Sequence, residues 1–159
     1  MICYANDATS KMIVIFMKLD LSSLLDAIGQ LEEALAFCSS DLAKGNPRLA
    51  LHLRAAAIQA FEFTYELSFK MLRRYLEASE PNPAAIAEMS FGEVIRRGCE
   101  LGLLKLEMGE WNAFRRDRGA TSHTYNVAKA QSVFAAIPAF LTEAKFLARQ
   151  IQTRQGSHL

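Results

Sequence analysis

The chain is short of cysteine, histidine, proline and net charge, and each scarcity narrows what it can be. Its 159 residues hold three cysteines, Cys3, Cys38 and Cys99. They are odd in number, far apart and without metal-ligand spacing, which argues against a disulfide framework or a zinc site and points to a reducing cytoplasm. Eighteen basic residues oppose seventeen acidic ones for a net charge of +1. No global field therefore recruits nucleic acid or an anionic membrane, and any such affinity must be local. The one continuous apolar run, Met12 to Met17, is far too short to span a bilayer and has no small-residue cleavage site behind it. No stretch alternates with period two for long enough to propose a sheet.

What is present is a globular composition, 51% apolar and 22% charged, in a length that suits one domain. From Leu21 the apolar residues Leu24, Leu25, Ile28, Leu31, Leu35, Cys38 and Leu42 keep helical spacing, with Asp20 or Ser22 as cap, until Gly45-Asn46-Pro47. Pro47 suits the first turn of a second helix, and neither proline nor glycine interrupts the chain again until Pro81. That helix is apolar over much of its girth, through Phe61, Leu67, Met71, Leu72 and Tyr75 with Phe63 and Phe69 beside them, and belongs at the centre of the fold. After Pro81-Asn82-Pro83 comes a short helical turn, then Ser90 with Glu93 as a capping box for a third long segment that Gly102 stops. Another begins near Leu106, carries Met108, Trp111 and Phe114, and is expected to end at Gly119. Asn126 is positioned to cap the last helix, which reaches Ile151 and should kink at Pro138. The expectation is an all-α, antiparallel up-and-down bundle of four or five helices. Residues 1–19 are read as an N-terminal arm, with Met17 as an alternative start of translation that intact-mass measurement would settle. Residues 20–154 form the single bundle domain and 155–159 a flexible tail.

Two places carry chemistry. In the second helix Glu62, Glu66 and Lys70 lie four apart and share a face; their plain reading is a solvated surface with a Glu66–Lys70 ion pair. The second place is the break Arg115-Arg116-Asp117-Arg118-Gly119-Ala120-Thr121-Ser122-His123-Thr124-Tyr125. Arginine presents a rigid fork of donors to phosphate oxygens, and histidine exchanges protons near neutral pH. Together they suit RNA cleavage, with a base taking the proton of a 2′-hydroxyl and a cation steadying charge on the phosphate. The plain alternative pairs Arg118 with Glu110 or Asp117 and leaves His123 satisfying backbone groups at a helix start.

The spacing of Arg118, His123 and Tyr125 resembles the Arg-x4-His-x-Tyr motif of HEPN domains. With the stretch from Arg54 to Lys70 and with Thr121-Ser-His-Thr-Tyr125, the chain is similar to the nucleotidyltransferase substrate-binding protein family over about Leu21 to Ile151. The resemblance implies a homodimeric, HEPN-like helical bundle without cofactor or metal. It also implies a minimal nucleotidyltransferase as partner in a toxin–antitoxin type of module, the chain being the substrate-binding subunit. A second implication, from related HEPN proteins, is a metal-independent ribonuclease toxin. There Arg118 and His123 would be catalytic in a cleft between protomers, Tyr125 would accept AMP, and RNA or a nucleotide would be bound. Glu62, Glu66, Lys70, Arg115, Thr121 and Ser122 would contact substrate or partner. Gly119 stands where such ribonucleases commonly carry a polar residue, often asparagine, which weighs against nuclease activity more than against the fold. A third reading is a helical assembly protein whose loop is purely structural.

Overall fold

The computed structural model describes residues 18–120 and 127–156, and in it the amphipathic patterns become seven helices with no strand among the described residues. Helix α1 spans Ser22–Cys38 and buries Leu24, Ala27, Ile28 and Leu31. The N-cap position falls on Leu21, between the two expected residues, and the Asp20 carboxylate just before it accepts the Ser22 N–H at 2.9 Å. The helix does not continue to Leu42 as its periodicity suggested. The Ser40 hydroxyl donates to the Phe37 carbonyl at 2.6 Å and accepts from the Ala43 N–H at 3.3 Å. One serine thus closes α1 and opens a separate short helix, α2, over Asp41–Gly45. Leu42 is left 67% exposed instead of on the buried stripe.

Helix α3 runs unbroken from Pro47 to Ser79, with the Asn46 side chain accepting from the Leu49 N–H and Pro47 in the first turn. After it come α4 (Pro83–Ala87), α5 (Phe91–Glu100), α6 (Met108–Ala120) and α7 (Val127–Gly156). Helix α3 touches all six others and is the axis of the bundle. The capping box at the start of α5 is present in both directions: Glu93 accepts the Ser90 N–H at 2.8 Å, and Ser90 accepts the Glu93 N–H at 3.4 Å.

The two glycines expected to stop helices behave differently. Gly102 takes φ +67°, the left-handed conformation that suits glycine, and ends the turn after α5. Gly119 lies inside α6 with no such backbone conformation, so the helix runs on to Ala120. Glycine in a helical conformation costs propensity without breaking the ladder of hydrogen bonds. Helix α7 likewise continues through Pro138 and extends to Gly156, taking in the first two residues assigned to the tail. Asn126, the proposed cap of α7, lies outside the described residues, as do residues 1–17 and 157–159.

The core is aromatic at its centre. Phe140 of α7 meets Phe61 of α3 edge to face at 5.1 Å and Phe114 of α6 at 5.2 Å, while Tyr65 and Trp111 close the cluster 6.0 Å apart. Among the described residues no helix is long and apolar enough to cross a membrane.

Candidate functional site

Helix α6 carries Arg115 and Arg118 three residues apart, hence on one side, and its placement fixes theirs. Its start is held by Glu143, which is 1% exposed on α7. One carboxylate oxygen of Glu143 accepts the Lys105 N–H at 3.1 Å, the Leu106 N–H at 3.1 Å and the Trp111 indole N–H at 3.2 Å. These donors include two at the connection into α6, where backbone groups have no helical partner, so the buried carboxylate acts as the missing acceptor. Burial raises its pKa above the ordinary glutamate value, against the opposing effect of those same hydrogen bonds.

The far end of α6 is held by α3. Arg118 pairs with Glu66 and lies 3.5 Å from Glu62, so the arginine of the loop motif and two acids of the second-helix motif, distant in sequence, form one cluster. Neither Glu110 nor Asp117 is its ion-pair partner, and Glu66 pairs with Arg118 where helical spacing had suggested Lys70. The reason is reach: the α3 acids face the last turn of α6, where a rigid guanidinium can meet both. Lys70 is exposed and forms no ion pair among the described residues. The hydrogen bond that Arg118 donates to Glu66 raises the Arg118 pKa further and keeps the guanidinium charged.

Beside this cluster opens a pocket of about 470 Å³. Its apolar lining is Tyr65 and Phe69 of α3 with Phe91 of α5; Arg115, Arg118 and Gly119 of α6 border it, with Glu66 and Arg73 of α3. Phe69 and Phe91 lie 5.1 Å apart, tilted by 32°, and the Arg115 guanidinium sits 4.5 Å over the Phe91 ring. Arg73 is fastened by its donors to the Met89 carbonyl at 2.7 Å and the Ala87 carbonyl at 3.3 Å, tying the α4 turn to this wall. Burial pushes the Tyr65 phenol up to about 12, with Arg115 and Arg118 pulling the other way, so it is a neutral hydroxyl near pH 7.

Of the residues proposed from sequence, Arg118, Glu62 and Glu66 come together and Arg115 borders the same pocket. Thr121, Ser122, His123 and Tyr125 lie outside the described residues. Sequence reasoning did not single out Phe91 or Tyr65 for the site, nor Glu143 for its support. For Glu143 a signal existed, a lone acid between Phe140 and Leu147 on an otherwise apolar stripe. For the pocket lining there was none, because aromatic residues at helical spacing read as core.

Comparison with known proteins converges on one group. A family model described as "Nucleotidyltransferase substrate binding protein like" matches residues 19–153. A Haemophilus influenzae protein described as "Probable ribonuclease HepT" is 43% identical over 102 residues, 64% of this chain and 69% of its own length. A solved structure from Haemophilus influenzae, described as revealing the fold of a substrate binding domain of a nucleotidyltransferase, matches with TM-score 0.79 at 37% identity. The match covers 84% of this chain and 99% of that one. A crystal structure from Thermus thermophilus matches with TM-score 0.62 at 30% identity, over 80% of this chain and 98% of that one.

Proposed function

The chain belongs to the nucleotidyltransferase substrate-binding protein-like family, and from that premise we propose that it is the partner subunit of a minimal nucleotidyltransferase, with the Arg118 end of α6 as its phosphate-handling surface. The observation that carries the reading is the cluster of Arg118 with Glu66 and Glu62 beside Arg115 and an open pocket. It makes one surface of two stretches that are separate in sequence. A guanidinium held by carboxylates is oriented before a phosphate arrives, and a phosphate can meet its fork of donors with two oxygens and more charge. In this reading the chain itself forms a homodimer, which pairs with the nucleotidyltransferase. Phe63, 65% exposed on α3 and one turn from Glu66, supplies an apolar contact at the edge of the site. Mixing the purified chain with the nucleotidyltransferase encoded beside it should give one co-eluting complex by size-exclusion chromatography. Two separate species would end the partner reading.

A second reading, ribonuclease activity, is favoured by the name of the Haemophilus relative. In it His123 takes the proton of a 2′-hydroxyl, that oxygen attacks phosphorus, and the 5′-oxygen leaves with a proton to give a 2′,3′-cyclic phosphate. Arg118 bears the charge that builds on the phosphate oxygens. The nucleotidyltransferase partner would silence the site by transferring AMP to the Tyr125 hydroxyl with loss of pyrophosphate, which puts an anion where RNA phosphate must bind. RNA degradation by the wild type and not by His123→Ala supports this reading; equal degradation by both removes it. Labelling of Tyr125→Phe as strong as that of wild type removes the modification step.

A further inference from the structure

The end of the bundle where α3 and α7 begin has a charge pattern that the Arg118 site does not use. Neither aspartate nor glutamate occurs from Leu42 to Phe61 or from Val127 to Thr142, while the same stretches carry Arg48, His52, Arg54 and Lys129. The acids that flank them are already engaged: Asp41 pairs with Lys44 at 3.2 Å, Glu62 lies 3.5 Å from Arg118, and Glu143 is buried at the start of α6. Between the two helices opens a hollow of about 250 Å³, lined by Leu51, Arg54, Ala55 and Ile58 of α3 and by Val127 and Ala130 of α7. Leu51 and Val127 are more than half exposed, so the hollow is not sealed. Arg54 lies with its guanidinium 5.6 Å over the Phe134 ring and makes no ion pair or hydrogen bond among the described residues. A ring steadies the cation but offers no acceptor oxygen, which leaves the donors of Arg54 to a carboxylate.

We propose that this hollow docks an acidic segment of a partner protein through one large apolar side chain, with Arg54 taking a carboxylate beside that anchor. Arg48, three residues before Leu51 and so on its side of α3, and Lys129, beside Ala130, draw in the flanking acids. The inference goes beyond the phosphate-handling reading and stands without it, since Arg118 does not line the hollow. An apolar cavity of roughly 150 Å³ accepts a benzene-sized group, so there is room for a phenylalanine. RNA matches the charge but not the lining, none of which is aromatic and able to stack a base. A second copy related by a twofold axis through the hollow would bring Arg48, Arg54 and Lys129 against their own counterparts, and like charges facing one another repel.

The test is fluorescence anisotropy of the intact chain with a labelled, amidated nonapeptide, one phenylalanine centred among glutamates. The peptide should bind, and raising the salt from about 0.05 to 0.5 M should weaken it by screening the rim charges. Replacing its phenylalanine with alanine should cost roughly 10- to 100-fold, the value of burying one large apolar side chain. Ala55→Glu sets a carboxylate in the hollow at an exposed helical position and should abolish binding with an unchanged circular dichroism spectrum. Arg54→Gln, which adds no acid, should weaken binding by up to about fivefold and decides the matter if that spectrum changes. Arg149→Glu alters charge at an exposed position about five turns further along α7 and should leave the affinity within about twofold. Absence of binding by wild type, or equal losses in Ala55→Glu and Arg149→Glu, overturns the site. An affinity indifferent to the phenylalanine overturns the protein occupant in favour of a polyanion such as RNA. A wild type that sediments as a dimer and an Ala55→Glu variant that sediments as a monomer, with no peptide bound by either, overturn it in favour of a second copy. Arg118→Ala should keep the peptide affinity; its loss there would place the peptide on the phosphate surface and remove the separate site.

Discussion

Glu143 offers the most quantitative test of how the site is held. Replacing it with glutamine keeps the shape and one acceptor oxygen but places an amide N–H₂ where the Lys105 N–H now approaches the second carboxylate oxygen at 3.3 Å. A carboxylate acceptor contributes about 1.5–3 kcal/mol per hydrogen bond and a neutral one about 0.5–1.5. Weakening the three bonds to the retained oxygen and losing the second Lys105 contact, offset by no longer burying a charge, leaves a net cost of about 1–3 kcal/mol. In a chain of this size that lowers Tm by roughly 2–12 °C. Glu143→Leu strands all three donors, each costing about 1–3 kcal/mol. That sum approaches the whole stability of an ordinary domain, about 5–15 kcal/mol. The leucine variant should be largely unfolded at temperatures where the glutamine variant is native.

The pH dependence gives the same residue a second, sharper signature. Burial raises the Glu143 pKa in the folded chain above its ordinary 4.5, so between the two values the folded state holds more protons than the unfolded one. Stability from this group is then greatest below about pH 4.5 and declines as pH rises through the raised value. Asp20 and Glu93, whose pKa values are lowered by hydrogen bonds from Ser22 and Ser90, act in the opposite direction. They are common to both proteins and cancel in a difference. The gap in Tm between wild type and Glu143→Gln, followed by thermal melts from about pH 4 to 8, should therefore narrow as pH rises. A gap that widens would mean the three hydrogen bonds outweigh burial, and no gap at any pH would refute the anchoring role itself.

Glu66→Gln releases Arg118 from its carboxylate and should tighten binding of ribose 5-phosphate by up to about fivefold, since exposed ion pairs are worth about 0.2–1 kcal/mol; weaker binding in a titration would show that Glu66 orients the arginine more than it competes for it. For Gly119→Asn, an added Cβ meets nothing within 4 Å among the described residues, and the change replaces the residue with the poorest propensity in an α6 that should gain about 0.3 kcal/mol or more. If ribonuclease chemistry resides in this loop, the same change should raise RNA turnover; a drop in turnover with unchanged Tm would count against a polar side chain helping there. Ser90→Ala removes half of the capping box, so α5 should melt at lower temperature and the loss should be smaller at low pH, where Glu93 protonates and its own half already fails. A loss independent of pH would show that the two halves act separately.

The helices were legible because their signals are local. Asn46 with Pro47, Ser90 with Glu93, and Gly102 each mark a boundary by chemistry that acts within four residues, and each marks it in the fold. The errors share a cause as well. Ser40 could end a helix or sit on its surface, and Gly119 could stop one or be carried inside it; only the surroundings of the backbone choose between them. Ion pairing read from spacing along one helix failed where another helix competes. Glu66 had Lys70 one turn away, yet took Arg118 from α6. The pocket lining was hidden for the same reason, since Phe69 and Phe91 become neighbours only when α3 and α5 pack.

These long-range contacts have a common subject, the short helix α6. It is held at its start by Glu143 of α7 and near its end by Glu66 and Glu62 of α3. Between these two acidic anchors Trp111 and Phe114 fill the aromatic core and Arg115 reaches Phe91. The two anchors differ in kind. Glu143 is buried, and exchange of its partners requires α6 to leave the core, so it sets where the helix lies. The Glu66–Arg118 pair is exposed to solvent and is worth little to stability, so a phosphate can replace its carboxylate without moving the helix. An α6 fixed at one end and exchangeable at the other lets an anion bind Arg118 on a surface whose geometry is already set, and the cost of ordering that surface is met by the core before any ligand arrives.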